Sequence, residues 1–162
     1  LRPLAPSIAI EGASGLNDIT VSDKGDVYVS DSKTSRIWKI TNDVPSLYLE
    51  NVNGANGLKA IKGDLIYAQD GALMKADAQK KISQITQIPQ GIDGIEPVGN
   101  GDYIVSAWSG YIYYVHPGEK PQLLLDTHLE KKNTADIGYN KAKRILYVPS
   151  FMAKTVAAYK LN

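Results

Sequence analysis

The chain has 162 residues, enough for one domain with a sizeable core, and its 43% hydrophobic and 22% charged residues are ordinary for a globular protein. Eighteen Lys and Arg against seventeen Asp and Glu leave a formal charge of +1, which offers no field for a phosphate backbone and argues against nucleic acid as a partner. Cysteine is absent, which excludes disulfides, thiolate metal sites and thiol nucleophiles and leaves oxygen or imidazole to ligate any metal.

From the N-terminus, LRPLAPSIAIEG lacks both an initiator Met and a signal-peptide layout, so Leu1 reads as a cut end. No apolar run approaches the roughly 20 residues that span a bilayer. The cysteine-free composition leans toward an exported or periplasmic protein rather than a cytoplasmic one. Within residues 1–12, PSIAIEG (residues 6 to 12) has the pattern of an isolated outer strand.

Beyond it the chain repeats. Gly25-Asp26, Gly63-Asp64 and Gly101-Asp102 recur 38 residues apart, followed by VYVSDS, LIYAQD and YIVSAW, and a shifted fourth copy reads RILYVPS. Each copy alternates Val, Ile and Tyr with Gly, Asp, Asn and Ser between runs, the pattern of antiparallel strands joined by hairpins. A repeat of about 40 residues holding four strands is a β-propeller blade. The expected architecture is all-β, with blades over 13–50, 51–89 and 90–128 and a fourth over 129–162 that lacks its outer strand. The N-terminal strand either completes the fourth blade and closes a ring of four, or ends an upstream blade of a larger ring; the second also accounts for the cut-looking start.

In a propeller, the residues entering each innermost strand meet near the central channel. Here those positions carry Asn17-Asp18, Asn56-Gly57, Asp93-Gly94 and Asn133 with Asp136. Taken singly, each reads as a strand-entry residue bonding its own backbone. In common register they read as a polar centre whose oxygens suit Ca²⁺, Mg²⁺ or Mn²⁺. Trp108 either lines the channel mouth or packs between blades. His116 and His128 read as surface residues, and the tyrosines as packing between blades. EGASGL places Leu16 where a nucleophile elbow requires Gly, which disfavours serine hydrolase chemistry.

The loop wording GLNDITV, GANGLKA and GIDGIEP resembles the senescence marker protein/gluconolactonase-like six-bladed propellers, which include regucalcin and related lactonases. The resemblance covers residues 12 to 162, as the C-terminal four blades. It implies that Asn17, Asn56 and Asp93 ligate a divalent cation, Ca²⁺ foremost with Mg²⁺, Mn²⁺ or Zn²⁺ as alternatives, and that Asp93 is the general base. Asp18, Asn133, Asp136 and Trp108 would line the channel. The family's Glu ligand has no counterpart here, and Gly15 stands where many lactonases carry a substrate-binding Arg. The implied activity is metal-dependent water attack on a lactone or related ester. The competing expectation is a non-catalytic propeller that binds a small molecule or a protein on its top face. Unless the N-terminal strand closes a ring of four, either takes N-terminal blades or another chain to close the ring.

Overall fold

The computed structural model describes residues 6 to 161; Leu1 lies outside them. The architecture is all-β, a partial β-propeller. Its first sheet holds β1 (Leu16–Val21), β2 (Val27–Asp31), β3 (Arg36–Thr41) and β4 (Val44–Glu50). The second holds β5 (Ala55–Ile61), β6 (Asp64–Gln69), β7 (Ala72–Ala76) and β8 (Ile82–Gln87). The third holds β9 (Ile92–Gly99), β10 (Asp102–Ala107), β11 (Tyr111–Val115) and β12 (Gln122–Asp126). After a 3-10 turn at His128–Glu130, the fourth holds β13 (Gly138–Asn140), β14 (Ile145–Ser150) and β15 (Thr155–Lys160). Strands pair antiparallel in chain order, so the sheets are blades of four, four, four and three strands. Among the described residues, no helix is long and apolar enough to cross a membrane.

The 38-residue mark has a backbone cause. Gly25, Gly63 and Gly101 turn the first hairpin of each blade at φ of 84°, 90° and 85°, with open space where a Cβ would stand. Glycine is used there for its left-handed conformation. In the fourth blade Arg144 lies in that turn at φ 52°, and the copy is out of step because a longer segment, with a 3-10 turn at His128–Glu130, precedes β13.

In the second and third blades the middle strands are apolar on both faces because a neighbouring blade covers each side. In β6, Leu65 and Tyr67 pack toward Tyr28, Ile37 and Leu49 of the first blade. Ile66 and Ala68, on the opposite face, pack toward Ile92, Ile95 and Val105 of the third. Ile104 and Ile112 likewise meet Ile137, Leu146 and Val148 of the fourth. The core is thus three interblade layers rather than one central mass. Tyr28, Tyr67 and Tyr113 are buried in these layers as expected.

Residues 6 to 10 form no strand, against the expectation of an outer strand there. A strand needs a neighbour to supply its hydrogen bonds, and among the described residues this segment pairs with none of the four sheets.

Candidate functional site

The Asn and Asp pairs are β-bulges. Leu16 pairs with Asp31 and Ile19 with Val29, so Asn17 and Asp18 together oppose Ser30 alone. Asn56 and Gly57 oppose Ala68 in the same way, and Asp93 and Gly94 oppose Ser106. A bulge inserts one residue, bends the strand and re-aims a side chain. The backbone groups freed by the insertion are taken up by hydroxyls: Ser30 Oγ accepts from Asp18 N at 2.9 Å, and Ser106 Oγ from Gly94 N at 2.8 Å.

The bulges are also where neighbouring blades touch. A Cβ on Gly57 would stand 2.1 Å from the carbonyl oxygen of Asp93, and one on Gly94 would stand 2.6 Å from Asp136 Oδ1. Only glycine allows that approach. The first blade has Asp18 at this position, and its Oδ2 instead accepts Leu58 N of the next blade at 2.6 Å. Thr20 Oγ1 accepts Ala60 N at 3.1 Å, while Ser32 Oγ donates to Ala55 O at 2.6 Å and Ser106 Oγ to Ala135 O at 2.7 Å. Side chains therefore bridge neighbouring blades.

Around these contacts lies a cluster of carboxylates. Burial pushes the Asp93 carboxyl up to about 6, the charges of Asp136 and Asp18 push the same way, and a hydrogen bond from the Asn56 side chain opposes them. Asp18 is raised by burial and by Asp136, against hydrogen bonds from Leu58 and Ile19. Glu96 is raised by burial, against the Lys59 ammonium 3.0 Å away. Asp18, Asn56, Asp93 and Asp136 are thus brought together. Glu96 and Lys59, missed in the sequence, join them; each lies three residues beyond a bulge residue, Asp93 or Asn56, on β9 and β5.

The remaining residues sit as follows. Asn17 is exposed, and its Nδ2 donates to Ser32 Oγ at 2.9 Å. Asn133 is buried, and its Oδ1 accepts Met152 N at 2.9 Å, so its oxygen anchors the β14–β15 hairpin. Trp108 is exposed on the β10–β11 hairpin and meets Phe151 at 5.5 Å between ring centroids. His116 is bound to Asp102 at 2.6 Å, and His128 stacks on Tyr111 at 5.0 Å. The stem of Lys33 lies over Gly15, 2.6 Å from where a Cβ would stand.

Another residue without a sequence signal is Asp31, which is wholly buried on β2. Its carboxylate accepts Ser14 N at 2.9 Å, Gly15 N at 2.9 Å and Thr34 N at 3.1 Å, clamping the entry to β1 onto the β2–β3 hairpin.

The donor set suits a hard cation in kind, being oxygen from carboxylates and amides. Among the described residues, no three His, Asp or Glu side chains converge closely enough to hold a metal by themselves. A cation here would draw on Asn oxygens as well as Asp93.

Comparison with known proteins bears on the fold. The NHL repeat model matches residues 14–40, the stretch that holds the Asp31 clamp. No curated protein matches. Virginiamycin B lyase from Staphylococcus aureus superposes with a TM-score of 0.66 at 17% identity, over 91% of this chain and 56% of its own. A chain of a nidogen/laminin complex does so with 0.78 at 13% identity, over 95% and 62%. The computationally designed Ika4 protein gives 0.70 at 12% identity, over 98% and 100%. The chain spans little more than half the length of the lyase it resembles. Repeat match and superpositions together place this chain among the β-propellers.

Proposed function

We propose that the protein is a propeller hydrolase acting on a lactone or related carboxylic ester at its axial polar centre. The observation that carries this reading is Asp93, a partly buried carboxylate held near 6 beside Asn56. A carboxyl raised in this way is a better proton acceptor than an ordinary Asp, which suits it to take a proton from water. The water oxygen would bond to the acyl carbon as its proton passes to Asp93. The ring C–O bond would then break, and the departing alkoxide would recover the proton from Asp93. Asn56, Asp93 and the Oδ1 of Asn17 are the oxygens that would hold a divalent cation, Ca²⁺ foremost. Such an ion supplies polarisation of the acyl oxygen. The stem of Lys33 lies over Gly15, the position at which lactonases of the resembled family carry Arg.

The test is turnover of aldonolactones and simple aryl esters, with and without added Ca²⁺, by the parent and by Asp93→Asn. Loss of two or more orders of magnitude in the variant is expected; a variant as fast as the parent would sink the reading. One observation favours a second reading, a protein-binding propeller. Leu129, Phe151 and Met152 are strongly exposed, and Trp108 packs against Phe151. A binder would show no turnover in this assay and would lose its partner on Phe151→Ser.

A further inference from the structure

The blades can be laid over one another strand for strand. Asp18 Oδ1 accepts Ile19 N and Asp136 Oδ1 accepts Ile137 N, which sets the fourth blade in register with the first. The strand pairings then put Tyr139 with Ala60 and Pro97, Tyr159 with Ala76 and Val115, and Ala157 with Met74 and Tyr113. In the third blade, Tyr114 stands where the first two carry Lys39 and Lys75.

These four departures from the repeat meet in the layer between the third and fourth blades. A cavity of about 610 Å³ opens there, lined by Tyr114, Tyr139 and Tyr159 with Ile112, Leu125 and Leu146 among others. Leu125 and Tyr159 also line a second space of about 190 Å³, whose wall includes Val148 and Ala157. The pair at this point is Tyr67 with Met74 in the first layer and Val105 with Tyr113 in the second, all packed into the core. Val148 with Ala157 is smaller than either pair.

The space lies between two blades that are both present, so it does not depend on where the chain begins or ends. Nor do outer strands close such layers. Gln84 on β8 and Leu123 on β12 pair with Met74 and Tyr113, on the side of the preceding blade, and both are exposed.

The substitutions also change the chemistry of the wall. In the first two blades Lys39 and Lys75 pair with Asp26 and Asp64, at 2.9 and 3.6 Å. In the third, the Tyr114 hydroxyl donates to Asp102, and His116 Nδ1 lies 2.6 Å from the same carboxylate. An aromatic ring thus replaces an ammonium, while the Asp102 charge is taken up by its two partners. Among the described residues, the hydroxyls of Tyr139 and Tyr159 make no hydrogen bond to a neighbour. Aromatic walls with aliphatic backing and hydroxyls to spare suit a flat apolar molecule that carries a hydrogen-bonding group. The volume falls within the roughly 300–1,000 Å³ of small-molecule sites.

We propose that the layer between the third and fourth blades is a binding site separate from the axial centre. It takes a small aromatic molecule bearing a hydroxyl or ring N–H, held among Tyr114, Tyr139 and Tyr159 and reaching the space beside Ala157.

NMR titration of the 162-residue chain with indole and with naphthol tests this. Ala157→Met supplies the side chain that the second blade carries and should weaken binding by about tenfold or more. Tyr114→Lys restores the Lys–Asp pair of the first two blades and should weaken it likewise. If Ala157→Met fails to fold by circular dichroism, Ala157→Val fills less of the space and takes its place. A parent that binds neither probe overturns the proposal. So does a folded Ala157 variant that binds as tightly as the parent, since the probes would then sit elsewhere, as on the exposed Trp108 and Phe151.

Discussion

Asp18 Oδ2 accepts the backbone N–H of Leu58 at 2.6 Å and so joins the innermost strand of the first blade to that of the second. Its Oδ1 accepts Ile19 N at 2.7 Å, which fixes the carboxylate across the bulge. Asp18→Ala leaves the Leu58 N–H unpaired in a partly buried contact and is expected to cost about 1–3 kcal/mol in urea unfolding. Asp18→Asn retains an acceptor and should cost markedly less. Equal stability of the Ala variant and the parent would show that the bond contributes nothing.

The close approach at Gly57 sets a steric prediction. Gly57→Ala drives a methyl group into the carbonyl oxygen of Asp93 and should destabilise by about 1–3 kcal/mol, as overpacking does. Gly138→Ala is the control, because that glycine has open space around it and no positive φ. Alanine there should be neutral or stabilise by roughly 0.5 kcal/mol. Thermal melts of the two variants side by side would expose a failure of this ranking.

Asp31 governs the acid limb of stability. Burial alone would raise its carboxyl, but hydrogen bonds from Ser14, Thr34 and Gly15 outweigh that and hold it well below 3.8. A depressed value stabilises the fold above the unfolded value and is lost as pH falls below it. Asp31→Asn should therefore flatten the loss of stability below about pH 4 and lower stability at neutral pH. The check is urea midpoints measured from pH 7 down to pH 3.

Asp93 has the opposite sign. Raised to about 6, it favours folding most below 3.8, and this contribution disappears as pH rises through 6. Asp93→Asn is expected to gain about 1 kcal/mol at pH 7, a figure kept small because the group is partly solvated. Removing the neighbouring charge with Asp18→Asn should lower the Asp93 titration midpoint, as NMR would register. A midpoint near 4 in the parent would refute the electrostatic account of the site.

Much of this was legible in the chain. The hairpin glycines, the alternating apolar runs and the 38-residue interval identify blades, because local turn geometry and strand periodicity depend on near neighbours alone. Asn17, Asn56 and Asp93 could be picked out by register for the same reason. Asp31 could not, since its partners Ser14 and Gly15 come within reach only when β1 folds back on β2. Nor could Glu96 and Lys59, which pair across two blades.

The sequence by itself determined the repeat, the all-β class and the positions of the polar pairs. Only the tertiary structure decided what those pairs are: bulges in which Asp18 bridges blades, Gly57 and Gly94 permit contact, and Asn56 bonds Asp93. The reason is physical. Strand identity follows from each residue's preference along its own chain, whereas burial, charge repulsion and close approach are set by the neighbouring blade.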